Sequence, residues 1–310
     1  MIIFYLGRIF NLVLSIVIVY FAIKITPKYK EMFLTLGLMP MFIQQMISYS
    51  YDSLLNSICL LIIGLCLAMA AKDKVPIKKY YLVFTLCSIV IINIKYIYLP
   101  LLLFVMIAND KNFENNKKKK YLYLLGCLAI SFVFAYLISL LFTVGHQETT
   151  VLVNNVNLHN IMQNPISIFK IAENTLDKHG MFYLRGLFGY FGWFKFRMDD
   201  IFMYAYIIYF VYLVLSNSNV VKKTYKKVIL LLSLLMMFAA VFAALYFACT
   251  DPNVMYVEGV QGRYFLPLLV PFLFLLTPKK EKIEQDLNIS YNFVNIVLLQ
   301  YTLMLLIFYY

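Results

Sequence analysis

Charged residues are scarce in this chain: they make up 14% of its 310 residues, whereas 63% are hydrophobic. Soluble domains carry about 25% charged and about 45–50% apolar residues. The surplus apolar surface therefore needs lipid around it. This composition excludes an ordinary soluble domain and predicts an integral membrane protein.

Motifs of the common soluble enzyme classes are also missing. The sequence contains no Walker loop, dinucleotide fingerprint, nucleophile elbow or zincin motif. Its three histidines, His146, His159 and His179, match no zinc spacing and are expected to be exposed loop residues. Its five cysteines lie in or at the end of apolar stretches, where small packing residues are expected. No metal site is therefore predicted.

The basic residues fall in every second gap between long apolar stretches. Nineteen of the 27 are lysines in five short runs. The runs are Lys24/Lys28/Lys30, Lys72/Lys74/Lys78/Lys79, Lys111 with Lys117–Lys120, Lys222/Lys223/Lys226/Lys227, and Lys279/Lys280/Lys282. The positive-inside rule places such gaps in the cytoplasm. The pattern predicts a multi-pass protein of a bacterial plasma membrane with cytoplasmic lysine-rich loops.

The formal net charge of +12 lies on the lysine-rich side of the chain. Anionic lipid headgroups attract lysine at the cytoplasmic face of a membrane. A nucleic-acid binder would instead need a basic patch on a folded surface. The expected partner is therefore the lipid bilayer and not nucleic acid.

Ten membrane segments are predicted from the apolar stretches, because a helix needs about 20 apolar residues to cross the hydrocarbon core. They are Ile2–Ile25, Met32–Ser48, Ser53–Ala71, Tyr80–Asn93, Tyr96–Ala108, Tyr121–Val144, Ile201–Leu215, Val228–Cys249, Tyr264–Leu276 and Tyr291–Tyr310. Lipid cannot satisfy exposed backbone donors, so these segments must be helical. The predicted fold class is an all-α, polytopic transmembrane helical bundle, a single integral membrane domain over residues 1–310.

The fourth and fifth segments are unusually short. Tyr80–Ala108 is 29 residues long, and lysine runs on both flanks indicate that the chain returns to the side it left. Asn93, Lys95 and Pro100 lie in the middle, so we expect a shallow helical hairpin with Lys95 near its tip. Lys95 either faces protein or water, since a charge at mid-bilayer costs about 2.5–3.5 kcal/mol, or it snorkels to the interface.

The longest polar stretch, residues 145–200, is expected on the non-cytoplasmic side. Asn164-Pro165 predicts a helix start, with a cap residue before a proline. Apolar side chains on one face of Ile168–Leu176 predict a helix lying in the membrane interface. Gly180 is expected to end that helix.

Candidate functional residues occupy the predicted outer turns. Asp52 can accept a proton, position a hydroxyl or coordinate a metal, but residue type favours a helix N-cap for the third segment. Arg263 offers a planar fork suited to phosphate oxygens; its alternative is a pair with Glu258 or Asp251.

Two further positions carry charge at the same side. Arg8 either snorkels outward from the first segment or meets an inward phosphate or carboxylate. The Asp199-Asp200 pair can bind a divalent cation, although adjacent acids at a helix start are more often caps that favour the dipole. The cofactor question therefore stays open at this stage.

The lysine pattern places Met1 outside, with few residues before the first helix. A polytopic chain more often begins inside. We therefore expect that at least one upstream helix and its external loop are absent, the alternative being a short external N-terminus.

Five motifs carry a family resemblance through their order and spacing. They are GRIFN (7–11), LMPMFIQQMISYSYD (38–52), IKYIYLPLLLF (94–104), GYFGWFKFRMDD (189–200) and QGRYFLPLLVP (261–271). Together they resemble the bacterial integral membrane family called domain of unknown function 2142, over essentially the whole chain.

The resemblance implies similarity to the GT-C class of membrane glycosyltransferases. Those enzymes move a sugar from a polyprenyl-phosphate carrier to a cell-envelope glycan acceptor on the outer face. It implies Asp52 as the catalytic candidate, and Arg263, Gln261, Lys95 and Arg8 as residues that bind phosphate or substrate. The chain departs from the family pattern in one respect: the Pro-Asp-Glu stretch of the first external loop, where the base would belong, is missing.

Two other function classes stay open. A transporter or flippase of a lipid-linked or anionic substrate should show paired broken helices in two related halves, and the sequence shows one broken hairpin. A non-catalytic membrane assembly subunit is the second alternative.

Overall fold

The computed structural model describes residues 2–142, 155–191, 194–221, 223–280 and 288–309. Its α-helices are α1 (Ile2–Ile25), α2 (Lys30–Gly37), α3 (Pro40–Ile47), α4 (Tyr51–Ala71), α5 (Ile77–Ile94), α6 (Lys117–Phe142), α7 (Asn155–Gln163), α8 (Ser167–Gly189), α9 (Asp200–Leu215), α10 (Thr224–Cys249), α11 (Leu266–Leu276) and α12 (Asn288–Tyr309). Three 3₁₀ segments occupy Tyr96–Ile107, Asp110–Phe113 and Gly262–Phe265. The two-residue strands β1 (Tyr190–Phe191) and β2 (Phe196–Arg197) pair antiparallel. The predicted all-α class is confirmed.

Five of the described helices have the length and hydropathy to cross a bilayer: α1, α4, α5, α6 and α10. The other predicted segments correspond to shorter apolar helices of 10–17 residues or to the broken second segment. Of these helices, α1 has the smallest share buried inside the protein: only 11% of its most apolar 18-residue stretch. The rest of that stretch is left for lipid. The polytopic helical membrane architecture follows from these helices.

The second predicted segment, Met32–Ser48, is two helices rather than one. α2 ends at Gly37 and α3 begins at Pro40, which has no amide proton and suits the first turn of a helix. The carbonyl of Leu38 at the break accepts weak hydrogen bonds from the hydroxyls of Tyr206 and Thr302, both at 3.4 Å. Side chains of α9 and α12 thus satisfy a carbonyl that the break leaves free.

The fourth and fifth segments form the predicted hairpin with Lys95 at its tip, but the hairpin is not shallow. Its first leg, α5, has 18 residues, and its second leg, the 3₁₀ segment Tyr96–Ile107, has 12. We call this second segment the 3₁₀ leg. An α-helix rises about 1.5 Å per residue and a 3₁₀ helix about 2.0 Å, so each leg is about 24–27 Å long. The greater rise per residue of the 3₁₀ helix lets a short sequence reach across the bundle.

Two buried lysines cap the end of the 3₁₀ leg. Lys226 Nζ donates to the carbonyls of Ile107 (2.7 Å) and Ala108 (2.8 Å). Lys120 Nζ donates to the Ala108 carbonyl at 2.8 Å and to the Asp110 carboxylate. The side chain of Lys120 is only 5% exposed. A cation is favourable at a helix C-terminus, where the last carbonyls have no partner within the helix.

The Lys120 contact also affects Asp110, which lies outside the membrane-spanning helices. The hydrogen bond from Lys120 holds the pKa of the Asp110 carboxyl below its usual value, against the opposing effect of burial. The pair therefore stabilises the fold above the unfolded-state pKa of this carboxyl, and the contribution is lost as pH falls through the lower folded-state value.

The described lysines of all five runs gather at one end of the bundle. Contacts between loops at this end connect the elements that carry them. These contacts are Lys28 Nζ–Ser218 Oγ (2.7 Å), Asn219 N–Pro278 O (2.8 Å), Lys111 Nζ–Asp73 Oδ2 (2.6 Å) and the Lys226 bonds given above. We call this the lysine-rich end. It is the end that the sequence pattern assigns to one side of a membrane.

The interfacial helix predicted in residues 145–200 is α8, but both of its predicted ends are wrong. Asn164 does not cap through its side chain; its carbonyl accepts from Ser167 N at 3.0 Å. Gly180 does not stop the helix, which continues to Gly189. The second half of α8 remains helical because it packs against the 3₁₀ turn Gly262–Phe265, a partner distant in sequence.

We expect the Lys226→Met substitution to lower thermal stability. The Ile107 carbonyl then loses its lysine, and an unmet buried polar group costs about 1–3 kcal/mol. For a chain of this size that is a fall of several degrees in Tm, at about 2–4 °C per kcal/mol. The measurement is thermal stability by fluorescence-detected size exclusion, with Lys223→Met at an exposed position as control. Equal Tm values for the two variants would contradict this role.

Candidate functional site

Three elements meet at the end of the bundle opposite the lysine-rich end. They are the first turn of α4, the tip of the hairpin and the 3₁₀ turn Gly262–Phe265. They bring together Asp52, Lys95 and Arg263, which we call the charge cluster. Asp52 Oδ1 lies 2.6 Å from Lys95 Nζ, and Asp52 Oδ2 lies 3.8 Å from Arg263 Nε. Three of the sequence-predicted site residues are thus neighbours in space, although they are 43 or more positions apart along the chain.

Asp52 is not the N-cap of its helix. The cap is Ser50, whose Oγ accepts from the backbone amide of Asp52 at 3.1 Å. The interpretation of Asp52 as a cap was therefore wrong. Because Ser50 caps the helix, the Asp52 carboxylate is not needed there, and both of its oxygens can face Lys95 and Arg263.

Lys95 faces protein and does not snorkel away from it. Its side chain is 18% exposed and that of Asp52 is 10% exposed. The ammonium group also lies over the rings of Tyr264 and Tyr51, with 4.5 and 5.1 Å between Nζ and the ring centroids. Cation–π contact and a short ion pair together account for a largely buried charge at this position.

Arg263 makes neither of the ion pairs expected for a loop arginine. Glu258 contacts the amide of Asp251 at 3.3 Å instead. The Nε of Arg263 is buried and has no hydrogen-bond partner in the described part of the chain, and its 3.8 Å contact with Asp52 is too long for a hydrogen bond. The side chain as a whole is 35% exposed. An arginine with an unused buried donor and an accessible face can accept an anion.

The 3₁₀ turn that carries Arg263 is held by a close backbone contact. A Cβ on Gly262 would lie 2.1 Å from the Tyr183 carbonyl oxygen and 2.4 Å from the Leu187 amide nitrogen, so only glycine fits there. From the other side, Tyr98 OH donates to the Tyr264 carbonyl at 2.7 Å. α8 and the 3₁₀ leg thus clamp the turn between them.

The first helix supports the turn that leads into Asp52. Arg8 Nε donates to the Ile47 carbonyl at 2.6 Å. Asn11 Nδ2 donates to the Ser50 carbonyl at 3.1 Å, and Asn11 Oδ1 accepts from Ser53 Oγ at 2.7 Å. Arg8 therefore contacts backbone here, and its predicted contact with phosphate stays a prediction. Sequence reasoning missed Asn11, although it lies one helical turn from Arg8 in the same motif.

Gln261 lies apart from the charge cluster, in a crevice on the other side of the 3₁₀ turn. The crevice has a volume of about 270 Å³ and is also lined by His179, Tyr256 and Glu258. His179 belongs to α8 and is half-buried, unlike the exposed loop residue that was expected. His159 lies on α7, where its Nε2 is 2.8 Å from Gln163 Nε2. His146 lies outside the described residues.

An apolar groove of about 360 Å³ adjoins the crevice and shares Val257 with it. Ile168 and Ile171 of α8 line one side of this groove, and Phe238 and Phe242 of α10 line the other. The two cavities together have an apolar part and a polar part, as an amphiphilic ligand requires.

The acidic pair at the start of α9 is not arranged as a cation site. Both oxygens of Asp200 accept hydrogen bonds from Arg185, from Nε at 3.1 Å and from Nη2 at 2.9 Å. Asp199 precedes the helix as its N-cap residue. No group of three or more His, Cys, Asp or Glu side chains suited to a metal occurs within the described ranges. This arrangement disfavours the divalent-cation alternative.

Comparison with known proteins identifies the type of chain without naming a reaction. A family model described as "Predicted membrane protein (DUF2142)" matches residues 1–272. No curated protein and no solved structure matches.

We expect the Asp52–Lys95 pair to show strong coupling in a double-mutant cycle of Asp52→Asn and Lys95→Met. Asp52→Asn leaves Lys95 largely buried without its carboxylate, and Lys95→Met leaves Asp52 with only the longer Arg263 contact among the described residues, whereas removing both relieves that cost. The expected coupling is about 2 kcal/mol, read from Tm shifts and chemical unfolding.

The exposed pair Asp73–Lys111 provides the matched control. Its coupling should be about 0–1 kcal/mol, as for other solvent-exposed ion pairs. Equal coupling energies in the two cycles would show that burial does not strengthen the Asp52–Lys95 pair.

Proposed function

The chain belongs to the family of predicted membrane proteins DUF2142, and on that premise we propose that it is a membrane glycosyltransferase. It would move a sugar from a polyprenyl-phosphate carrier to a cell-envelope glycan acceptor on the outer face of a bacterial plasma membrane. The observation that supports this most directly is the charge cluster, in which two cations face one carboxylate.

The lysine-rich end indicates how the proposed enzyme would be oriented in the membrane. If that end is cytoplasmic, as the positive-inside rule implies, the charge cluster lies at the outer leaflet. A lipid-linked phosphate lies at the same level of the membrane. The carrier can therefore reach the cluster without crossing the bilayer.

The chemistry of the cluster suits a phosphate. The Arg263 fork and the Lys95 ammonium offer donors to phosphate oxygens, and Arg263 Nε already lacks a partner. Asp52 orients both cations before the ligand arrives, so little reorganisation is needed on binding. Preoriented donors in a water-poor site are the usual means of stabilising developing negative charge.

In the proposed step, an acceptor hydroxyl oxygen forms a bond to the anomeric carbon of the sugar. The bond from that carbon to the phosphate oxygen breaks, and its electron pair leaves with the carrier phosphate, beside Arg263 and Lys95. The hydroxyl proton passes to a carboxylate, for which Asp52 is the candidate in this chain.

The apolar groove supports a hydrocarbon-linked substrate. Phe265, two residues after Arg263, lies 5.3 Å from Phe238 and 5.9 Å from Phe242 between ring centroids. Both of these rings line the groove. A chain lying in the groove would thus end close to the charge cluster.

We expect Arg263→Ala to reduce sugar transfer by about 10²–10³-fold, the usual cost of losing one donor to a developing anion. The measurement is transfer of labelled sugar from a polyprenyl-phosphate hexose in proteoliposomes. Arg197→Ala, at an exposed position on β2, is the matched control and should keep wild-type transfer. Unchanged transfer in Arg263→Ala would remove the phosphate assignment, and lipid movement without transfer would favour a flippase.

A native cysteine provides a direct test of the orientation of the protein in the membrane. Among the described residues, Cys249 at the end of α10 is exposed, whereas Cys59, Cys66, Cys87 and Cys127 are buried. We expect a membrane-impermeant maleimide to label Cys249 on intact cells from which the outer barrier has been removed. Cys249→Ser should abolish this labelling. Labelling that appears only after the membrane is opened would place the charge cluster in the cytoplasm.

A further inference from the structure

The crevice beside the 3₁₀ turn has no role in the phosphate chemistry described above. It lies between α8 and the loop that joins α10 to the 3₁₀ turn, with Glu258, Gly259, Val260 and Gln261 on the loop side. We propose that this crevice is a saccharide subsite that takes one pyranose ring of the glycan substrate. Its part in catalysis rests on the proposed function, but sugar binding itself can be measured separately.

One wall of the crevice is aromatic. Phe182, Phe194 and Tyr256 line it, and the first two rings lie 5.1 Å apart in an edge-to-face arrangement. Phe194 is 43% exposed and has a φ of 67°, in the left-handed region that non-glycine residues rarely adopt. A strained backbone that presents an exposed ring to a cavity indicates a ligand site. The apolar C–H face of a pyranose packs well on such rings.

The rest of the crevice is polar. Among the described residues, the Glu258 carboxylate makes only long contacts, one oxygen with Asp251 N at 3.3 Å and the other with Tyr256 OH at 3.5 Å. Its carboxylate therefore has capacity for further hydrogen bonds. Gln261 adds an amide with both a donor and an acceptor. These are the groups that the hydroxyl rim of a sugar requires.

His179 completes the polar set. Burial lowers the pKa of its imidazole, and the charge of Lys178 lowers it further against the effect of Glu258. The ring is therefore neutral at pH 7 and presents one donor and one acceptor. It lies 5.5 Å from the Tyr256 ring between centroids, so it extends the aromatic wall while offering hydrogen bonds.

Other ligand classes fit this crevice less well. A phosphate would meet the negative charge of Glu258, whereas a purely apolar ligand would leave that carboxylate without a partner. A neighbouring cation, Lys178, is held over the Tyr256 ring at 3.5 Å from the ring centroid. An uncharged ring with one apolar face and several hydroxyls matches both walls.

The position of the crevice deepens the proposed function. Gln261 precedes Arg263 by two residues, and Tyr183, which lines the crevice, lies 6.2 Å from Phe265 between ring centroids. The crevice and the charge cluster thus flank one rigid 3₁₀ turn. A sugar in the crevice would belong to the same substrate complex as a phosphate at Arg263.

The test is saturation-transfer NMR on the purified chain in detergent. The probes are methyl α-glucopyranoside, methyl α-galactopyranoside and the methyl glycoside of N-acetylglucosamine. We expect at least one glycoside to bind saturably. Glu258→Gln and His179→Ala should weaken its binding at least about tenfold, as expected for loss of a hydrogen bond to a charged or buried group. Phe194→Ala, which removes no buried polar contact, should also weaken it.

The controls use exposed residues of the neighbouring helices. Glu173→Gln on α8 and His159→Ala on α7 should bind the glycoside as the wild type does, and each variant is checked for an unchanged Tm.

Three outcomes overturn the subsite. They are the absence of saturable binding for every glycoside, wild-type affinity in the Glu258, His179 and Phe194 variants, or displacement of the glycoside by inorganic phosphate. If one of these is found while Arg263→Ala still loses transfer, the subsite fails and the proposed function stands. If glycoside binding depends on these residues but no transfer occurs under any condition, the subsite stands and the proposed function fails.

Discussion

The 3₁₀ leg depends on charged side chains at both of its ends. A 3₁₀ helix of this length is uncommon because its hydrogen bonds are poorer than those of an α-helix, and lipid supplies no alternative partners. At the lysine-rich end, Lys226 and Lys120 bind the last carbonyls. At the other end, Lys95 is fixed by Asp52. The leg is therefore anchored at both ends by lysine, and those anchors also set the position of the candidate site.

This arrangement links stability to function through one residue. Lys95 is the turn of the hairpin and also a member of the charge cluster, so the residue that reverses the chain also supplies a cation. Supporting contacts come from elements far apart in sequence: Asn11 on the turn before α4, and Gly262 against α8. Each member of the cluster is thus held by backbone contacts that do not involve a ligand. Such support is what a preorganised site requires.

The helical membrane class was predictable from sequence because it depends on local composition. The lysine runs, the hairpin tip at Lys95 and the boundaries of most helices follow from residues close to one another along the chain. The errors occurred where a distant partner decides. Asp52 was interpreted as a cap although Ser50, two residues earlier, is the cap, and the real partner of the Asp52 carboxylate is the distant Lys95. Gly180 did not end α8 because its continuation packs on a segment about 80 residues away, as the partner Gly262 shows.

The crevice was missed for the same reason, since its aromatic and polar walls come from α8 and a separate loop. The length of the 3₁₀ leg was missed for a different reason. The sequence gives the number of residues in the segment, but it does not show that their rise per residue is that of a 3₁₀ helix. Pro40 did carry a local signal for the break between α2 and α3, but the continuous apolar run outweighed it. Proline alone does not decide such a break, because Pro100 lies inside the continuous 3₁₀ leg and Pro271 lies inside α11.

The charge of the cluster has a consequence for the order of events in the proposed reaction. With Arg263, Lys95 and Asp52 ionised, the empty cluster carries one surplus positive charge. A sugar linked through a phosphodiester carries one negative charge, so donor binding brings the site to neutrality. After transfer the carrier is a phosphomonoester with about 1.5 to 2 negative charges at pH 7. In the proposed step Asp52 takes the hydroxyl proton, so the cluster then carries two positive charges, which stabilise the departing phosphate. The cluster therefore holds the spent carrier at least as strongly as the donor, and release of the carrier into the outer leaflet follows the loss of that proton from Asp52.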